Sequence, residues 1–154
     1  YTMSDAPQLQ VSKNNNSFIK LNDYLESVIG KKFVWGETHC VAIIAGCLDA
    51  MYGTDYTTWM KENYEHTAEK CLEYCSNKEV TKQLKNIGYE EGIITQVKSG
   101  DVLIVYDNDY ECCHIWSGSR FISSRLGGNV VQNSFAYGME LVATRDTLVL
   151  CHKP

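Results

Sequence analysis

Hydrophobic positions along this chain follow a helical interval first and a strand interval later. Between Ser17 and Gly30, the residues Phe18, Leu21, Leu25 and Val28 recur every three or four positions. That spacing predicts an amphipathic helix capped by Ser17 and stopped by Gly30. From about Thr38–Cys40 to Tyr52, Val41, Ile44, Ala45, Leu48 and Met51 keep the same interval, while Ala42, Ile43 and Cys47 fill most of the remaining surface. A helix of that kind, closed by Gly53, is expected to be buried nearly all round. Residues 56–92 predict three more polar helices: one begins near Thr57 or Thr58 and carries Trp59 and Tyr64, one is capped by Thr67 and carries Cys71, Leu72 and Cys75, and one carries Val80, Leu84 and Ile87 and ends at Gly88. These read as a flank or lid over the buried helix.

After Gly92 the pattern changes. Val102–Tyr106 is a continuous apolar run, as a central strand requires, followed by turn residues Asp107, Asn108 and Asp109. Cys112–Ser117, Arg120–Ser123, Val130-Val131, Leu141-Val142 and Leu148–Leu150 are expected to continue as an antiparallel meander, with turns at Gly118-Ser119 and Gly127–Asn129. Helices followed by strands predict an α+β fold with the buried helix packed on the sheet. Residues 1–16 are polar and end in three asparagines, so they read as an arm, and 17–154 as a single domain. A chain of 154 residues is long enough to bury close to 70% of its unfolded surface.

Charge removes some functions. The net charge is −5 and Lys31-Lys32 is only a pair, which argues against a phosphate-binding groove and hence against nucleic acid as a partner. No apolar run approaches the roughly 18 residues of a membrane span, and the first residues lack the order of a signal peptide. The seven cysteines are odd in number and several lie on predicted helices, so they read as reduced thiols. His66, Cys71 and Cys75 could share a helix face and, with Cys112-Cys113, hold zinc in principle. No CxxC pair occurs, so neither a metal nor another cofactor is expected.

The candidate chemistry lies at Cys40. In Phe33-Val34-Trp35-Gly36-Glu37-Thr38-His39-Cys40, an extended, glycine-kinked segment runs into the apolar helix and puts a thiol at its first turn. Unpaired backbone N–H groups and the positive end of the helix dipole favour a thiolate there. The dipole contributes about 2 kcal/mol at most, little more than one pKa unit, so a strong nucleophile also needs a histidine. His39 adjoins Cys40 and points away from it, His66 lies in the polar flank, and His152 is two residues from the end. His114, on a strand next to Val102–Tyr106, is the remaining choice. Trp35 reads as packing or a cleft wall, Glu37 and Asp101 as turn or cap carboxylates, and Arg120 and Arg125 as turn charges.

With these features in place, residues 21–154 resemble the NlpC/P60 superfamily of papain-like cysteine hydrolases, in particular its short phage and prophage branch. The resemblance is carried by Leu21, Tyr24 and Leu25 on a helix, Gly30, Phe33-Val34-Trp35-Gly36, Cys40 opening an apolar helix, Tyr52-Gly53-Thr54-Asp55, and the later Gly100-Asp101-Val102 strand. It implies that Cys40 is the nucleophile, His114 the general base, and Ser123 the polar group orienting it. Trp35, Gly36, Glu37 and His39 would bind substrate. The implied reaction cuts amide bonds of peptidoglycan stem peptides through a thioester, with backbone N–H groups at the helix tip holding the oxyanion. The implied partners are the peptidoglycan peptide and other phage tail or virion proteins, for a product made in the cytoplasm and carried on a virion or delivered to the cell wall. Counting back from Gly118, the superfamily's histidine place falls on Cys112. Two alternatives therefore stand beside the hydrolase: a non-catalytic tail or virion component, and an acyltransferase or deamidase effector.

Overall fold

The computed structural model describes residues 16–152, so the expected arm lies, apart from Asn16, outside the described residues. The first two helices, α1 (Ser17–Val28) and α2 (Cys40–Tyr52), lie where the apolar intervals put them. Ser17 is the first helical residue rather than the cap; Asn16, in the left-handed region, holds that place. Leu21, Leu25 and Val28 are buried, but Phe18 is largely exposed. A Cβ on Gly46 would stand 2.1 Å from Tyr24 Cζ, so glycine there lets α1 and α2 approach closely.

The flank is three helices, α3 (Tyr56–Asn63), α4 (Ala68–Ser76) and α5 (Glu79–Ile87). Thr67 caps α4 as its position predicts, accepting from Lys70 N at 3.2 Å. The other two are capped from a distance. Asp49 of α2 accepts from Tyr56 N at 2.8 Å and Thr57 N at 3.1 Å, replacing the cap expected of Thr57 or Thr58. At α5, the cap residue Lys78 is left-handed with no side-chain bond, and a carboxylate from the sheet does its work.

Six antiparallel strands follow: β1 (Glu90–Gly92), β2 (Val102–Asp107), β3 (Tyr110–Trp116), β4 (Phe121–Ser124), β5 (Val130–Asn133) and β6 (Thr147–Cys151). Their order is β1-β6-β2-β3-β4-β5. The β2–β5 run is the expected meander, whereas β6 returns to the far side of β2 and brings β1 with it. Asn108 and Asp109 both have positive φ, the two-residue loop that matches strand twist in a tight hairpin.

Leu141 and Val142 are not a strand. They lie on a sixth helix, α6 (Phe135–Thr144), whose cap Ser134 accepts from Tyr137 N at 3.2 Å. Phe135, Leu141 and Val142 cover a second apolar face of the sheet made of Leu103, Val105, Trp116, Phe121 and Val149. The opposite face, Val102, Ile104, Cys113, Ile115 and Leu150, packs on the helices before the sheet. The α+β class holds, with helices on both faces. His152, passed over as a partner for Cys40, is fixed elsewhere: its backbone N–H donates to Asp101 at 3.0 Å and its ring meets Ser99 O at 2.6 Å and Tyr52 Oη at 3.2 Å. No helix among the described residues is long and apolar enough to cross a membrane.

Candidate active site

The approach to Cys40 is a knot of local hydrogen bonds. Gly36 has φ +85°, open to glycine at little cost. Thr38 accepts from Val34 N and donates to Lys32 O, both at 2.7 Å. His39 Nδ1 accepts from Gly36 N at 2.9 Å. These bonds fold residues 35–38 into turns and leave His39 extended, so α2 starts at Cys40. The His39 side chain makes no capping bond, which leaves first-turn N–H groups to face whatever enters.

Cys40 is half-buried on a cleft of about 530 Å³ between the tip of α2, the start of β3 and α6. The cleft exists because β3 leaves β4 early: the two pair only at Ile115–Ile122 and Trp116–Phe121, so Tyr110–His114 diverges from β4. Cys40, His114 and Ser123 all line it, as do Trp35 and His39. Gly36 and Glu37 are not among its lining: Gly36 packs on His66, and Glu37 is exposed.

The groups that meet the Cys40 sulfur are thiols. Cys113 and then Cys75 stand placed to donate to it and, with a smaller contribution from His39, hold the Cys40 thiol well below the ordinary range against the opposing effect of burial. The same contact with Cys40 and burial push Cys113 and Cys75 up, so of the three thiols Cys40 is the one that ionises first. Strand alternation explains the choice of Cys113: with Ile115 it faces the core under α2, whereas His114, paired with Leu103, takes the other face. Burial lowers His114 to about 4; the Cys40 charge acts the other way, and Arg125 adds to the lowering. Its ring lies 6.2 Å from that of Tyr137, and its Nδ1 is buried without a partner. Ser123, expected to orient this histidine, therefore does not hold Nδ1. Neither Cys113 nor Cys75 was expected at the site; the alternation Glu111, Cys113, Ile115 was the readable signal.

The zinc grouping considered from the sequence is divided. Cys75 and Cys113 belong to Cys40, while His66 and Cys71 gather around His39, their ligand atoms within 4.8 Å of one another.

The family model described as a domain of unknown function (DUF6950) matches residues 16–137. The chain belongs to the DUF6950 family. The matched region runs from the start of α1 into α6, so the DUF6950 segment contains Cys40, Cys75, Cys113, His114 and Ser123 and stops before β6. No curated protein matches the chain.

Proposed function

We propose that this protein is a cysteine hydrolase of the NlpC/P60 type that cuts an amide bond in peptidoglycan stem peptides. The observation that carries the reading is the Cys40 sulfur: a readily ionised thiol at the first turn of α2, on a cleft of about 530 Å³ that also holds a neutral, buried imidazole. His114 lines the same cleft from the other face of β3, so the Cys40 proton passes to it through cleft water, and the thiolate attacks the carbonyl carbon. Backbone N–H groups of the first turn receive the oxyanion. The C–N bond breaks, the amine leaves with the proton from His114, and Cys40 carries the acyl group as a thioester. Water, deprotonated by His114, then releases the carboxylate and restores the thiol. Trp35 and Tyr137 are the cleft aromatics against which a peptide would lie.

One observation favours a second reading, a non-catalytic tail or virion component: the β3 side chain at the Cys40 sulfur is Cys113, not a histidine. Release of soluble peptides from purified peptidoglycan separates the two. The hydrolase loses this activity in Cys40→Ala and in His114→Ala. Equal release by wild type and Cys40→Ala would defeat it.

A further inference from the structure

His39, His66 and Cys71 come together from three places: the residue before α2, the connection between α3 and α4, and the first turn of α4. His39 and Cys71 are buried. His66 Nε2 is buried with no hydrogen-bond partner, an expensive state for a polar atom unless something else is meant to meet it. Cys71 Sγ stands 3.9 Å from His39 Nε2. Ligands on a tetrahedral zinc with bonds of about 2.0 and 2.3 Å are roughly 3.6 Å apart, so the His39–Cys71 pair needs a shift of a few tenths of an ångström and His66, within 4.8 Å of the others, one of about an ångström. Beside the three lies a cavity of about 20 Å³, and a water needs about 10–15 Å³.

We propose that His39 Nε2, His66 Nε2 and Cys71 Sγ bind a divalent cation of the zinc class, with water as fourth ligand. Two imidazoles and a thiolate select zinc-like ions over calcium or magnesium, which take oxygen ligands. The site stands whether or not Cys40 is a hydrolytic nucleophile.

Its proton balance touches the loop before Cys40. His39 Nδ1 accepts the Gly36 N–H at 2.9 Å, so in the empty site the ring proton is on Nε2. On loading, that proton moves to Nδ1, the Gly36 N–H loses its acceptor, and Cys71 gives up its thiol proton, so one proton is released per ion. The ion would thus fasten His66 and α4 to the tip of α2 while freeing the Gly36 turn. Gly36 already has no room for a side chain, since its Cβ would lie 2.8 Å from His66 Cβ.

Metal-stripped protein titrated with Zn(II) and Co(II) tests this. The expected result is about one ion per chain, a Co(II)–thiolate charge-transfer band in wild type and Cys40→Ala, and no band in Cys71→Ser. His66→Gln should weaken zinc by more than the roughly 10–100-fold that loss of an outer-shell partner costs. Should Cys71→Ser not fold, amide exchange at Gly36 in wild type serves instead, and it speeds up on loading. Folded wild type that binds neither ion, a band that survives Cys71→Ser but vanishes in Cys40→Ala, or Gly36 exchange unmoved by zinc would each overturn the assignment.

Discussion

Glu111→Ala should be the most damaging single change outside the apolar core, because one carboxylate on β3 does the capping that α5 cannot do for itself. Glu111 is 3% exposed. It accepts from Val80 N at 2.9 Å, from Thr81 N at 2.8 Å and from the Thr81 hydroxyl. Those two N–H groups are the ones an N-cap side chain would normally satisfy. Losing a cap costs about 0.5–2 kcal/mol and leaving a buried donor unsatisfied about 1–3, so with two N–H groups and a hydroxyl stranded the substitution should remove about 2–4 kcal/mol. At about 2–4 °C per kcal/mol for a domain of this size, the melting temperature should fall by roughly 5–15 °C. Urea unfolding at neutral pH measures the loss directly, with exposed Glu90→Ala as the control. A change within about 0.5 kcal/mol of that control, the range of ordinary surface substitutions, would refute the capping argument. The charge adds a pH signature. Burial raises the Glu111 pKa despite three donors, so just above 4.5 the native state binds more protons than the unfolded one. Stability contributed by this group therefore falls as pH rises through that window, and Glu111→Gln removes the slope.

His114 gives the opposite slope. Its folded value is about 4 against 6.5 when unfolded, so the unfolded state takes up the proton first and stability is lost as pH falls from about 6.5 towards 4. The full effect is on the order of 3 kcal/mol and should be absent from urea midpoints of His114→Gln. Iodoacetamide at neutral pH, read by peptide mass spectrometry, should label Cys40 before the other six thiols. Cys113→Ala should slow that labelling, because it removes the first donor to the thiolate; labelling at an unchanged rate would show that Cys113 does not hold the charge.

Where a segment's own side chains decide its structure, the sequence was readable. The intervals of α1 and α2, Thr67 as the cap of α4, Gly53 as the end of α2 and the apolar run of β2 all lie where the pattern puts them. Where a partner remote in sequence decides, it was not. Asp49 and Glu111 cap helices they do not belong to, which no local spacing reveals. Leu141 and Val142 have strand character as a pair, and only the second apolar face of the sheet makes α6 the better way to bury them. At the site, Cys40 was legible because its place, opening an apolar helix, is set by its own segment. Its neighbours were not, because a one-residue difference along β3 decides whether Cys113 or His114 meets the sulfur.

The position of β6 has a consequence for synthesis on the ribosome. Residues 147–151 slot between β1 and β2 and pair on both flanks, so until they emerge the nascent chain exposes two unmatched strand edges. The sheet that carries Cys113 and His114 cannot close until residues 147–151 are free to pair, and such long-range pairing is intrinsically slow. Newly made copies should therefore pass through an aggregation-prone interval that ends only when this strand is inserted.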